Sequence, residues 1–243
     1  MKTTSNIIFI RASLAPIARE IKQDGGLINF LSNKLDFDEI LAPHFYPNRY
    51  IWKKRGEFNQ TNSGALGKIL ANTDGAFVSN HPTHSFVGYG NKVVPILQMH
   101  DETKSCFFPI SELSRLHDFS MLLLGCVESS PGFSTVHATQ YQLGLSQLHL
   151  LRFLIRWDYE KNGNRKSKHA IEFPGCSKSF SKFYRFYDES NNLIAGQWGK
   201  ASFLFVQSAR KAMKIEREIL KAEPRFVNCN KALCLSCNLR LYR

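Results

Sequence analysis

Between Met121 and Val127 the chain reads Met-Leu-Leu-Leu-Gly-Cys-Val, and the apolar stretch reaches back to Phe119. That is far short of the ~20 residues a membrane helix needs, and it lacks the alternation of a half-wet strand. Closed by Ser129-Ser130-Pro131-Gly132, it predicts a strand buried on both faces. Such a strand needs helices on both sides of its sheet, which commits the chain to an α/β layered fold. The rest of the sequence alternates accordingly. Short strands are predicted at Ile7–Ile10, Glu39–Ala42 and Ala76–Ser79. Helices are predicted at Leu27–Leu35, Ala65–Leu70, Lys92–Met99 and, with Ser208 as N-cap and Pro224 as stop, Ser208–Glu223. A Leu-rich stretch of period near 3.6 runs from Gln140 to Trp157, and Glu160–Lys168 reads as a polar basic connection. Residues 44–63 read as a long surface loop. With no repeat and no Pro/Ser linker, residues 1–243 are expected to form one domain.

Charge then limits the partners. The net charge is +12, almost all of it in the last 93 residues, where 19 Lys/Arg face 8 Asp/Glu; the first 150 hold 13 and 12. A basic half of this kind suits a polyanionic partner. Apolar residues make up 43% of the chain, an ordinary globular share that excludes a disordered tail or a fibre. Arg11 interrupts the apolar stretch after Ile7–Ile10, so no signal peptide is expected, and a cytoplasmic location with reduced thiols is. Three of the six cysteines form Cys229-x4-Cys234-x2-Cys237. Tetrahedral zinc needs four ligands and no histidine follows His169, so a fourth would have to come from Cys176 or farther away. They are read as structural thiols, and no metal is assigned.

Two segments carry chemistry. Ser79-Asn80-His81-Pro82-Thr83-His84-Ser85 offers imidazoles and hydroxyls on a proline-stiffened loop after a strand. Ser134-Thr135-Val136-His137 follows the buried strand, and Thr135 as N-cap would put His137 in the first turn of a helix. The positive end of a helix dipole disfavours imidazolium, so His137 would stay neutral and able to accept a proton. Gln140 lies one turn on, over the same face. No phosphate-binding Gly loop, GxSxG or HExxH occurs. The alternative from residues alone is a nucleic-acid module, with the aromatics of Phe180–Tyr187 interleaved with Lys178 and Lys182.

The order of these segments resembles the aminoglycoside 3-N-acetyltransferase family, also called the antibiotic N-acetyltransferase fold. The resemblance runs through Arg11-Ala12-Ser13-Leu14, Ile40-Leu41-Ala42-Pro43, Asn62-Ser63-Gly64-Ala65-Leu66, His81-Pro82-Thr83-His84-Ser85, Met121–Cys126 and Ser134–His137. It implies a three-layer α/β/α sandwich and acetyl transfer from acetyl-coenzyme A to an amine of an aminoglycoside or amino sugar, the chemistry of antibiotic resistance. It makes His137 the general base, with Gln140 standing where the family has glutamate. Arg11 likewise replaces a usual histidine and Val78 an arginine. Ser13, Ser79, His81, His84, Ser85 and Thr135 would line the coenzyme site. Polycationic antibiotics match a basic chain poorly, which favours a nucleotide-linked amino sugar. No membrane or nucleic-acid partner is expected, a homodimer is left open, and a catalytically degenerate member is the competing reading.

Overall fold

The computed structural model describes residues 6–46, 63–147, 156–161 and 163–229, with Lys231, Cys234 and Cys237. The chain opens with β1 (Ile7–Ala12), α1 (Ala18–Gln23), α2 (Leu27–Ser32), β2 (Glu39–Pro43) and α3 (Gly64–Ala71). Then come β3 (Phe77–Val78), β4 (Phe86–Tyr89), α4 (Val93–Gln98), α5 (Phe108–Leu116), β5 (Phe119–Leu124) and α6 (Thr135–Gln142). It ends with β6 (Arg156–Lys161), β7 (Asn164–His169), α7 (Tyr184–Glu189), β8 (Leu193–Trp198), β9 (Ala201–Val206) and α8 (Ala209–Ala222). Seven strands form one mixed sheet in the order β3-β4-β2-β1-β5-β9-β8. Its centre is parallel, with Ile8 of β1 opposite both Ile40 of β2 and Ser120 of β5. Antiparallel hairpins extend both edges.

Side chains alternate across the central strands and divide the core in two. Ile8, Ile10, Ile40, Leu122 and Leu124 pack under α1–α3, through residues such as Phe30, Leu31, Leu66 and Leu70. Ile7, Phe9, Leu41, Met121 and Leu123 pack under α4–α8. All six residues of β5 are buried. The predicted α/β/α sandwich is therefore the observed one.

Several boundaries differ from the sequence reading. The buried strand stops at Leu124, not Val127, because Gly125 takes φ 66° and turns the chain away. The Leu-rich helix ends after Gln142. Gly144 (φ 75°) closes it, with Leu145 N–H donating to Gln140 O and Gly144 N–H to Tyr141 O, the paired bonds of a Schellman stop. The rest of that expected helix, residues 148–155, lies outside the described residues, as do residues 47–62 of the expected loop. The basic connection is a β6–β7 hairpin turned at Gly163 (φ 72°). It lays Trp157, 4% exposed, onto the α4–α8 face. Of the aromatics offered to nucleic acid, Phe180, Phe183 and Tyr187 are buried in the core, and Tyr184 and Phe186 are half-buried against it.

Candidate active site

The site gathers at the C-terminal ends of the parallel strands, where α/β sheets hold their ligands. Past β2 the backbone continues against the His-Pro-Thr-His-Ser segment. His44 N–H donates to Ser85 O and Tyr46 N–H to Thr83 O. Near the end of β1, Arg11 reaches the turn that follows β5, donating to Gly132 O at 2.9 Å and to the Ser130 hydroxyl. Gly132 holds φ 87°, and a Cβ there would lie 2.0 Å from that of Phe180. Only glycine lets the turn pass under Phe180 and deliver α6.

α6 then presents His137 in its first turn, half-buried between two rings. Phe107 stacks on it at 4.7 Å and 21°, and Phe180 meets it edge-on at 4.7 Å. The contacts run on through Phe107 to His84 at 5.3 Å, from His84 to His81 at 6.2 Å, and from His81 to His100 at 4.7 Å. Trp157 of the β6–β7 hairpin meets His81 edge-on at 4.7 Å.

Most of the predicted coenzyme-binding groups are spent inside this wall. Ser79 Oγ accepts from Phe86 N–H and pairs with His100 Nδ1. Ser85 Oγ donates to His81 O, and Thr83 Oγ1 pairs with His84 Nδ1. His81 Nδ1 accepts the N–H groups of Thr83 and His84, while its Nε2 is buried without a hydrogen bond. Burial lowers His84 and His100 to about 3, and lowers His81 well below its usual value with help from His100 and His84. All three imidazoles are neutral near pH 7. Ser13 stands at the end of β1, its N–H bonded to Leu124 O.

Two expectations are corrected. The N-cap of α6 is Ser134, which makes no side-chain cap bond. Thr135 is fully buried and donates its hydroxyl to Glu216, so it is not available to an oxyanion. Gln140 is also fully buried, and neither its Oε1 nor its Nε2 makes a hydrogen bond. It therefore makes no hydrogen bond to His137.

Two carboxylates escaped the sequence reading. Glu216 on α8 accepts from Thr135, Thr139 and Tyr187 and locks α8 to α6. Glu172 accepts from Cys106 N–H and from Ser146 Oγ, behind the His81–His84 wall. Burial raises each to about 7. Glu216 had a legible signal. It sits in register with Ala209, Ala212, Met213 and Leu220 on the buried stripe of α8, where a charge calls for partners. Glu172 had none, since its partners are far away in sequence.

The cations of α8 are partly spent as well. Arg210 donates to Ser114 O and Arg115 O, and Arg217 to Gln142 Oε1 at 2.7 Å. With Arg115 and Lys214 they line a groove of about 510 Å³ between α5, α8 and the end of α6.

Residues 46–221 match the family model described as aminoglycoside 3-N-acetyltransferase. Among solved structures, the apoenzyme of the aminoglycoside acetyltransferase AAC(3)-IVa matches with a TM-score of 0.76 at 16% identity, covering 97% of this chain and 89% of that one. AAC-IIIb in binary complex with CoASH gives 0.65 at 17%, covering 93% of each. The YokD protein from Bacillus subtilis gives 0.67 at 18%, covering 92% and 88%. At these identities the structures share the fold. No curated protein matches the chain.

Proposed function

The chain belongs to the aminoglycoside 3-N-acetyltransferase family of acyltransferases, which take acetyl-coenzyme A as co-substrate, and from that premise we propose that it acetylates an amine of an amino sugar or aminoglycoside, with His137 as general base. The observation that carries this reading is the position of His137: first turn of the helix after the central strand, half-buried, and gripped by Phe107 and Phe180. A ring held this way has its orientation set before substrate arrives.

The chemistry is written on the atoms. An acceptor ammonium loses a proton to the imidazole, and its nitrogen lone pair attacks the thioester carbonyl carbon. The tetrahedral oxyanion collapses and the C–S bond breaks; the thiolate leaves with the electron pair and takes up the proton from the imidazolium, while the attacking nitrogen gives its second proton to water and becomes the neutral amide. General-base help of this kind is worth about 10²–10⁴-fold. With Thr135, Ser79 and Ser85 engaged internally, backbone N–H groups are the donors we assign to the oxyanion.

The coenzyme phosphates are assigned to the groove of Arg115, Arg210, Lys214 and Arg217. It adjoins the far end of α6, an eight-residue helix about 12 Å long. An extended coenzyme A covers that distance. The same positive field disfavours a polycationic acceptor and favours a nucleotide-linked amino sugar.

The test is an acceptor screen over aminoglycosides, free amino sugars and nucleotide-linked amino sugars, read by free thiol released from acetyl-coenzyme A. Amine-dependent release that is fastest with the nucleotide-linked sugars is expected. Folded protein that binds coenzyme A but releases thiol with none of the amines would instead indicate a degenerate member of the family.

A further inference from the structure

Cys229, Cys234 and Cys237 follow α8, beyond the residues that carry the family match, and Cys176 lies far upstream between β7 and α7. The fold brings all four together, with every Sγ within 4.8 Å of the other three. Cys229 and Cys237 Sγ stand 3.6 Å apart. A tetrahedral zinc with Zn–S bonds of ≈ 2.3 Å has sulfur–sulfur edges of about 3.8 Å. Disulfide formation needs sulfurs at ≈ 2.05 Å, and none of the four is in a disulfide. We propose that Cys176, Cys229, Cys234 and Cys237 bind one structural zinc ion that clips the C-terminal segment to the loop carrying Phe180.

Several features support a metal over packed thiols. Cys234-x2-Cys237 has the spacing of a zinc knuckle. The fourth ligand that the C-terminal sequence lacked is supplied by the fold as Cys176. Backbone N–H groups already point at two of the sulfurs, Lys178 N–H at Cys176 Sγ and Cys229 N–H at Cys237 Sγ. Such donors stabilise thiolate ligands from the outer shell. Four thiolates around Zn²⁺ carry a net charge of −2, and the ligand segments bring Lys178, Arg225 and Lys231 with them. Four cysteines fill the tetrahedron, so the site has no open position and is structural, not catalytic.

The clip has a mechanical reason to exist. The segment before Cys229 is seated by Phe226 against Phe183 at 5.2 Å and by Lys182 Nζ donating to Phe226 O at 2.9 Å. Phe180, whose ring contacts His137, lies four residues after Cys176. Binding zinc would therefore fix both ends of the segment that holds one wall of the site. A free-energy gain comes only if the metal binds the folded chain better than the unfolded one.

The experiment uses the full chain, purified under reducing conditions and dialysed against buffer without added metal. Elemental analysis should give one zinc per chain. Cys176→Ser and Cys234→Ser should each lower that stoichiometry severalfold, and Cys126→Ala, a cysteine outside the cluster, should leave it at one. Should the serine variants fail to fold, cobalt exchanged into wild type serves instead. It should give the thiolate-to-metal charge transfer and strong visible bands of tetrahedral S4 coordination. Absence of metal from wild type together with absence of those cobalt bands overturns the proposal. So does a mass measured without reductant that shows a disulfide among these cysteines in freshly prepared protein.

Discussion

Gln140 is where the site and the stability of the protein pull in different directions. A fully buried amide with no hydrogen-bond partner leaves the desolvation of its donor and acceptor unrecovered. Gln140→Leu removes both groups at similar volume and should raise stability by about 1–3 kcal/mol, read as a higher denaturation midpoint. If the amide serves the acceptor in the bound state, the same variant should lose turnover while coenzyme A affinity holds. Gln140→Glu tests the family pattern directly: a carboxylate one turn from His137 should favour the imidazolium and shift the pH–rate profile. Glu216 supplies a second residue-scale prediction. The folded state holds its proton to about 7, against 4.5 for an ordinary glutamate, because burial disfavours the carboxylate. Stability is therefore lost as pH rises from about 4.5 to about 7 and levels off above that. Glu172 behaves alike. Buried neutral His81, His84 and His100 push stability the other way over that range, so the readout is a difference: relative to Glu216→Gln, the wild-type thermal midpoint should fall as pH rises. A midpoint difference between the two proteins that stays constant across that range would contradict the account.

At the scale of elements, what was legible in the sequence was whatever repeats locally. The buried strand through Met121–Leu124, the helix with Ser208 as cap, and the short strands at Ile7 and Glu39 all advertise themselves by period and punctuation. Ser208 does cap α8, accepting from Lys211 N–H. The β6–β7 hairpin was missed because its lysines and arginines mask a strand alternation, although Asn162-Gly163 is a known hairpin turn signal. The early end of α6 was carried by one residue, Gly144. Thr135 was misassigned as cap because its true partner, Glu216, lies 81 residues away. His137 could be read from its place after the strand; the ring sandwich that holds it could not, since Phe107 and Phe180 come from separate elements. The turn before α6 carries its own prediction. Gly132→Ala forces a β-carbon onto Phe180 at φ 87° and should cost about 1–3 kcal/mol. Because Phe180 must move, turnover should fall more than the loss of stability explains. Unchanged kinetics in a folded Gly132→Ala protein would show that the grip of Phe180 on His137 is immaterial.

The whole molecule is a mixed sheet between two helical layers, with its excess charge in the second half of the chain. None of the described helices is long and apolar enough to cross a membrane. The excess of cations in the second half of the chain is used twice. Some of them clamp helices together, as Arg210 and Arg217 do, and the groove they border offers a positive surface to phosphates. Binding of coenzyme A should accordingly weaken as salt rises, over a range set by a Debye length of about 10 Å at 0.1 M. Lys214→Glu, in the groove wall, should raise KM for acetyl-coenzyme A while leaving kcat nearly unchanged. The central claim is narrower and concerns one ring. The most direct measurement compares His137→Ala with wild type by steady-state kinetics on the best acceptor and by calorimetric affinity for coenzyme A. A fall of about 10²–10⁴-fold in kcat, with coenzyme affinity nearly intact, is the predicted result; a fully active His137→Ala enzyme would contradict it.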